Sequence, residues 1–230
     1  MIVPRVKICG LKSVADIEIA TRYGADAVGF ITNVPVHTPR NIDIKTASGL
    51  ISKVPLFVKS VMVIMPVDAK EAVDMIRLAK PDIVQIHSEI GVDQMNNLRQ
   101  MCSIPIIKSF SVPTDDILNP EEMGEQLIKS ILKYENKDLI DAILLDSYSL
   151  QRAGGTGYVH RWDISRNIVL NSSLPIILAG GLNSSNVQDA ITQVLPYGLD
   201  VSSSLESEGH KDETKVKQFM MKTRCLNDFI

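Results

Sequence analysis

The chain is short of cysteine, has no long apolar run and carries no excess of positive charge. Each shortage excludes something. The three cysteines, Cys9, Cys102 and Cys225, form no CxxC and cannot all pair. A disulfide framework is therefore not expected, and a reducing, cytoplasmic setting is. No apolar stretch approaches the length of a membrane span. Met1-Ile2-Val3-Pro4 leads directly into a strand pattern and leaves no room for a signal peptide. A net charge of -3 gives no broad basic field, so neither nucleic acid nor a membrane is an expected partner. His37, His87, His160 and His210 are scattered over separate segments, and no spacing of histidines and acids suits a metal. No internal repeat, low-complexity tract or linker is evident.

What is present is an ordinary globular composition, 45% hydrophobic and 22% charged, with enough apolar mass for a large core. Strand-like and helix-like patterns alternate throughout. Strands are predicted at 5–9, 26–31, 56–63, 82–86, 104–109, 141–146, 175–179 and 198–201. Helices are predicted at 13–23, 43–52, 68–79, 91–102, 121–134, 161–171, 184–195 and 212–224. The strands are short and rich in Val, Ile and Leu, as strands buried on both faces are. These units predict an α/β fold, a single (β/α)8 TIM barrel over residues 1–230, with a doubly wound open sheet as the alternative. The polar stretch Pro113 to Glu125 reads as a long βα loop. Cys102 and Cys225 fall in helical patterns and read as small buried fillers.

In such a barrel the ends of the strands form the catalytic rim. Cys9 ends the first strand, Gly10 lets the chain turn beside it, and Lys7 shares its strand face. A nearby ammonium favours the thiolate; alternatively Lys7 pairs with Asp200 on the last strand, and both can hold. Asp146 ends the sixth strand among apolar neighbours, where a carboxyl can hold a raised pKa and act as an acid. Gly155 and Gly157 lie in a glycine cluster, Gly180 and Gly181 follow strand seven, and Ser202-Ser203-Ser204 follows strand eight. Barrels often bind phosphate with the loops after strands seven and eight. Arg40, in the loop after strand two, is either solvated or a two-pronged clamp for a carboxylate. His87 ends strand four and reads equally as a structural residue or a ligand contact.

Taken together, Lys7-Ile8-Cys9-Gly10, Pro39-Arg40, Val84-Gln85-Ile86-His87, Leu145-Asp146, Gly154-Gly155-Thr156-Gly157, Leu178-Ala179-Gly180-Gly181-Leu182 and Gly198-Leu199-Asp200-Val201-Ser202-Ser203 with Glu206 resemble the phosphoribosylanthranilate isomerase family. Gly209-His210-Lys211-Asp212 extends the likeness, which spans nearly the whole chain. The resemblance implies a (β/α)8 barrel with no metal or cofactor. It implies an Amadori rearrangement of N-(5-phosphoribosyl)anthranilate to 1-(o-carboxyphenylamino)-1-deoxyribulose 5-phosphate in tryptophan biosynthesis. By the same resemblance Cys9 is the general base, Asp146 the general acid, and Arg40 the residue at the anthranilate ring and its carboxylate. His87 is an expected substrate contact. Gly155, Gly157, Gly180, Gly181, Ser203 and Ser204 are expected at the phosphate. The expected partner is a small phosphorylated substrate, and the expected assembly a monomer or homodimer.

Three positions depart from the family pattern: Lys12 for the usual Thr, Ser88 for a common Gly, and Ser204 for the usual Gly. For Ser204 two outcomes are open, an allowed backbone with its hydroxyl serving as a phosphate donor, which is favoured, or a strained backbone costing on the order of 1–3 kcal/mol. Two alternatives stand beside the isomerase. One is another phosphosugar barrel enzyme such as an indole-glycerol-phosphate synthase, which Cys9 argues against. The other is a non-catalytic phosphate-binding barrel, which the pairing of Cys9 with Asp146 argues against.

Overall fold

The structure is a computed structural model that describes residues 3–114, 119–148 and 159–225. Eight parallel strands close into a barrel in sequence order: β1 (Arg5–Cys9), β2 (Ala27–Ile31), β3 (Lys59–Ile64), β4 (Ile83–Ile86), β5 (Ile106–Pro113), β6 (Ala142–Tyr148), β7 (Ile176–Leu178) and β8 (Gly198–Val201). Helices α1 (Val14–Arg22), α2 (Ile44–Ile51), α3 (Ala69–Ala79), α4 (Val92–Met101), α5 (Pro120–Glu135), α6 (Trp162–Asn171), α7 (Val187–Val194) and α8 (Glu213–Arg224) follow the strands in turn. A two-stranded ribbon, β9 (Glu206–Ser207) and β10 (His210–Lys211), is inserted before α8. The closed, in-order barrel excludes the open-sheet alternative.

Side chains alternate across each strand, and this sorts the core into two parts. Outward-facing Val6, Ile8, Val28, Phe30, Met62, Ile64, Val84 and Ile86 pack under the helices in one continuous cluster. Val61, Ile107, Leu144, Ile177 and Ala179 form a separate cluster that fills the barrel interior. The helices start where local chemistry allows. Ser13 and Asp16 form a capping box for α1, and Asp43, Asp68 and Asp212 cap α2, α3 and α8 through backbone N–H groups.

The differences from expectation are local. Leu56, Phe57 and Val58 precede β3 rather than belonging to it, and Phe57 is 95% exposed. Helix α5 starts at Pro120, so the polar stretch after β5 is partly helix. Proline at a first helical position loses no bond, since that N–H has no intrahelical partner. Cys102 and Cys225 are not buried fillers: each follows the last residue of a helix, Cys102 half-buried and Cys225 exposed.

One contact recurs along the bottom of the barrel. Asp26, Asp82 and Asp141 each stand just before an even-numbered strand. Each carboxylate accepts the first free N–H of the strand before it: Val6 N at 2.8 Å, Ser60 N at 2.9 Å and Ile106 N at 2.7 Å. Asp26 also meets Arg5 at 2.9 Å and Arg224 of α8 at 2.8 Å. These donors hold its carboxyl below the ordinary range although burial opposes them. Asp26→Ala should therefore lower unfolding free energy by about 1–3 kcal/mol, chiefly by leaving the buried Val6 N–H without an acceptor. A depressed folded pKa adds stability above the unfolded pKa that is lost as pH falls. The deficit of the variant should accordingly shrink toward acid pH in denaturant titrations.

Candidate active site

At mid-height in the barrel Lys7 and Asp200 lie opposite each other in the β1–β8 register, and their side chains meet at 2.8 Å. The side chains are only 5% and 10% exposed, so this is a buried pair. One step toward the rim on the same face of β1 is Cys9. Its side chain fits because β2 offers Gly29 beside it: a Cβ there would lie 2.7 Å from Cys9 Sγ and 3.0 Å from Lys7 Cε. Burial pushes the Cys9 thiol above its ordinary pKa, Lys7 pulls it down, and Asp200 pushes it up again. The expected thiolate-favouring effect of Lys7 is thus present but outweighed by desolvation in the ligand-free protein.

Asp146 stands at the end of β6. Burial, reinforced by the Asp200 carboxylate, raises its carboxyl to about 6, against the pull of Ser147 N–H at 2.8 Å and of Lys7. Its Oδ2 lies 4.0 Å from Nε2 of His87. The ring is set from behind: Gln85 Nε2 donates to Ser109 Oγ at 3.2 Å, and Ser109 Oγ meets His87 Nδ1 at 3.0 Å. The Ser109 hydroxyl can both donate and accept, so it holds the plane of the ring in either tautomer and leaves Nε2 facing Asp146. Burial, then Lys108 and Lys7, lower the His87 pKa and keep the ring neutral. On the other side of Asp146, Ser147 Oγ bonds His160 Nδ1 at 2.9 Å, and His160 Nε2 bonds Ser165 Oγ of α6 at 2.6 Å. Burial lowers His160 to about 4, so it is a neutral bracket between strand and helix.

The cavity above these groups has a volume of about 460 Å³, and Cys9, Arg40, His87 and Asp146 all line it. Gly180, Gly181, Ser203 and Ser204 line it from the side of strands seven and eight. Gly180 and Gly181 have φ of +80° and +64°, the left-handed region open to glycine. A Cβ on Gly180 would come within 2.0 Å of Ser147 Oγ, so the turn packs flush on the end of β6. Ser203 opens a 3₁₀ turn, Ser203–Leu205. The first N–H groups of such a turn have no partner within it and are free to face an anion. Gly155 and Gly157 lie outside the described residues.

Two of these side chains are engaged within the protein itself. Ser204 does not adopt a left-handed backbone, so no strain attends the loss of glycine. Its hydroxyl, however, donates to Leu182 O at 2.6 Å and ties the two loops together instead of standing free for phosphate. Arg40 is neither solvated nor free: Glu206 grips it at 2.7 Å. Sequence reasoning also left out Gly29, Gln85, Ser109, Ser147 and the neutral bracket at His160. Gln85 carried a signal, since it sits two residues before His87 on the same strand face. Among the described residues no group of side chains could hold a metal ion, and no helix is long and apolar enough to cross a membrane.

A closed parallel barrel with a thiol and a carboxyl of raised pKa around one mouth has the build of a (β/α)8-barrel enzyme. Comparison with known proteins narrows the class. The family model described as N-(5'phosphoribosyl)anthranilate (PRA) isomerase matches residues 6–222. The N-(5'-phosphoribosyl)anthranilate isomerase of Methanosarcina acetivorans is 47% identical over 227 residues, covering 98% of this chain and 95% of that one. The solved N-(5'-phosphoribosyl)anthranilate isomerase of Pyrococcus furiosus superposes with a TM-score of 0.80 at 31% identity, covering 96% and 98% of the two chains. A phosphoribosyl anthranilate isomerase solved with reduced 1-(o-carboxyphenylamino)-1-deoxyribulose 5-phosphate superposes at 0.75, with 28% identity and 96% and 98% coverage. The chain belongs to the phosphoribosylanthranilate isomerase family.

The raised pKa of Asp146 has a consequence for stability. A folded pKa above the unfolded one means the native state favours the proton. The resulting stability is full below the unfolded value and is lost as pH rises through about 6. Asp146→Asn removes that loss. Its melting temperature should exceed the parent's at pH 8, and the gain should vanish near pH 4; equal differences at both pH values would contradict the burial effect.

Proposed function

We propose that this chain isomerises N-(5'-phosphoribosyl)anthranilate to 1-(o-carboxyphenylamino)-1-deoxyribulose 5-phosphate, the reaction its family carries out in tryptophan biosynthesis, as one catalytic barrel over residues 1–230. The observation that carries the mechanism is the carboxyl of Asp146, raised to about 6 in a cavity it shares with Cys9. Protonated Asp146 gives its proton to the ribose ring oxygen, and the C1–O bond breaks as the anilino nitrogen supplies its electron pair. The resulting Schiff base acidifies the hydrogen on C2. The Cys9 thiolate takes that proton, and the enolamine that forms tautomerises to the ketone. Lys7 and Lys211 favour the thiolate against burial. His87, whose Nε2 faces Asp146 at 4.0 Å, contacts the reacting end of the substrate.

The phosphate is assigned to the loops after β7 and β8, on the N–H groups around Gly180, Gly181, Ser203 and Ser204, with Gly155 and Gly157 as further candidates. Arg40 is assigned to the anthranilate carboxylate. The free cysteines and the thiol base suit a reducing cytoplasm. For assembly, a second copy is the proposed partner. Exposed Phe57 and Tyr197 border a cavity of about 370 Å³ at the N-terminal end of the barrel, with Val61, Ile83, Ile107 and Ile177 at its floor and Arg5, Asp26 and Lys59 also lining it. A protruding ring beside a hole on one face is self-complementary about a two-fold axis.

Incubation with N-(5'-phosphoribosyl)anthranilate should yield the aminodeoxyribulose phosphate. Cys9→Ala and Asp146→Asn should each lower kcat by on the order of 10²–10⁴-fold while leaving the fold intact. Near-normal kcat in either variant would remove that residue from the mechanism. Sedimentation should find a homodimer at micromolar concentration and a monomer for Phe57→Asp; a monomeric parent protein would refute the proposed assembly.

A further inference from the structure

Arg40 reaches the cavity already engaged. Its Nε lies 2.9 and 3.1 Å from the two oxygens of Glu206, and its Nη2 lies 2.7 Å from Oε2. The Glu206 side chain, at the start of the β9–β10 ribbon, is 9% exposed. It also accepts from Lys211 Nζ at 2.7 Å, and the Lys211 side chain is 1% exposed. Lys211 Nζ further donates to Ser202 O at 3.2 Å, and Ser202 Oγ donates to Cys9 O at 3.0 Å. The guanidinium stem lies on Gly10, where φ is +78° and a Cβ would fall 2.6 Å from Arg40 Cδ. Arg40 is therefore fixed from one side by a carboxylate and from below by a glycine.

The geometry of a guanidinium gives this arrangement a direction. It has five N–H donors in a rigid plane. Glu206 occupies one edge, formed by Nε and one proton of Nη2. The end-on edge, formed by Nη1 and the second Nη2 proton, has no partner among the described residues, and Arg40 lines the cavity. The charges matter as much. Arg40 paired with Glu206 alone would be neutral as a pair and a poor anion site. Lys211 on the same carboxylate leaves the trio one positive charge.

We propose that Glu206 is a positioning residue that fixes Arg40 as an end-on fork, and that the trio thereby selects a substrate whose aromatic half bears a carboxylate. This rests on the assignment of Arg40 to that carboxylate. It makes a prediction opposite in sign to simple charge counting. Removing the Glu206 charge adds net positive charge and should tighten anion binding if charge alone mattered. If orientation matters, the carboxylate ligand should be lost selectively.

The experiment uses two unreactive ligands: reduced 1-(o-carboxyphenylamino)-1-deoxyribulose 5-phosphate and its anilino counterpart without the ring carboxylate. Calorimetry would give Kd for both with the parent chain, Glu206→Gln, Arg40→Ala and the double variant Glu206→Gln with Lys211→Met. The double variant removes the buried ammonium that the single change leaves short of a partner, and so guards against a failure to fold. Kd for the carboxylate ligand should rise about tenfold in both Glu206 variants, while Kd for the anilino ligand stays within about twofold. Unchanged or tighter binding of the carboxylate ligand would overturn the proposal, and so would equal losses for both ligands, which indicate general distortion. The underlying assignment fails separately. If Arg40→Ala weakens the two ligands equally, Arg40 does not read the carboxylate, whatever Glu206 does.

Discussion

The site depends on one ion pair, Lys7 with Asp200, sealed into the barrel interior at 2.8 Å. A buried pair of this kind is weak as a source of stability, because desolvation consumes much of the attraction. Its value lies in the opposite signs it presents to its neighbours. The Asp200 carboxylate helps hold the Asp146 carboxyl protonated to about 6, and Lys7 favours loss of the proton from Cys9. On each reacting group the pair works in both directions, Asp200 favouring the proton and Lys7 its loss, on top of the burial that is the largest influence on both. Gln85 Oε1 and Asp200 Oδ1 are buried and find no donor among the described protein groups.

The fold was legible because period-two apolar strands and period-3.6 helices alternate without ambiguity, and because helix starts carry Ser or Asp caps. Lys7 opposite Asp200 was legible too, since a closed barrel must bring the last strand to the first. What could not be read were relations that no spacing encodes. Gly29 looks like any strand glycine until Cys9 Sγ is placed beside it. The Ser204 hydroxyl looked like a donor for a ligand until Leu182 O arrived from another loop. The fate of Arg40 hinged on Glu206, 166 residues further along the chain. Desolvation of the Cys9 thiol is likewise a property of the assembled rim: from sequence only the neighbouring ammonium was visible, and it pointed the other way.

The carboxylates of Asp26, Asp82 and Asp141 carry a further meaning when the barrel is viewed as a construction. Each binds a strand to the one that follows it, β1 to β2, β3 to β4, and β5 to β6. The last pair lacks the device, because Tyr197 precedes β8 where the others have aspartate. The chain is thereby divided into three bolted two-strand modules and one unbolted module, which must also meet β1. That seam is held by the parallel ladder from Arg5 with Gly198 to Ile8 with Val201, by the backbone bond from Arg5 N to Tyr197 O at 3.0 Å and by Lys7 with Asp200. The joint that closes the ring thus also carries the charges that adjust the proton affinities of the rim. Closure of the ring is what brings Lys7 and Asp200, 193 residues apart in the chain, beneath the same mouth.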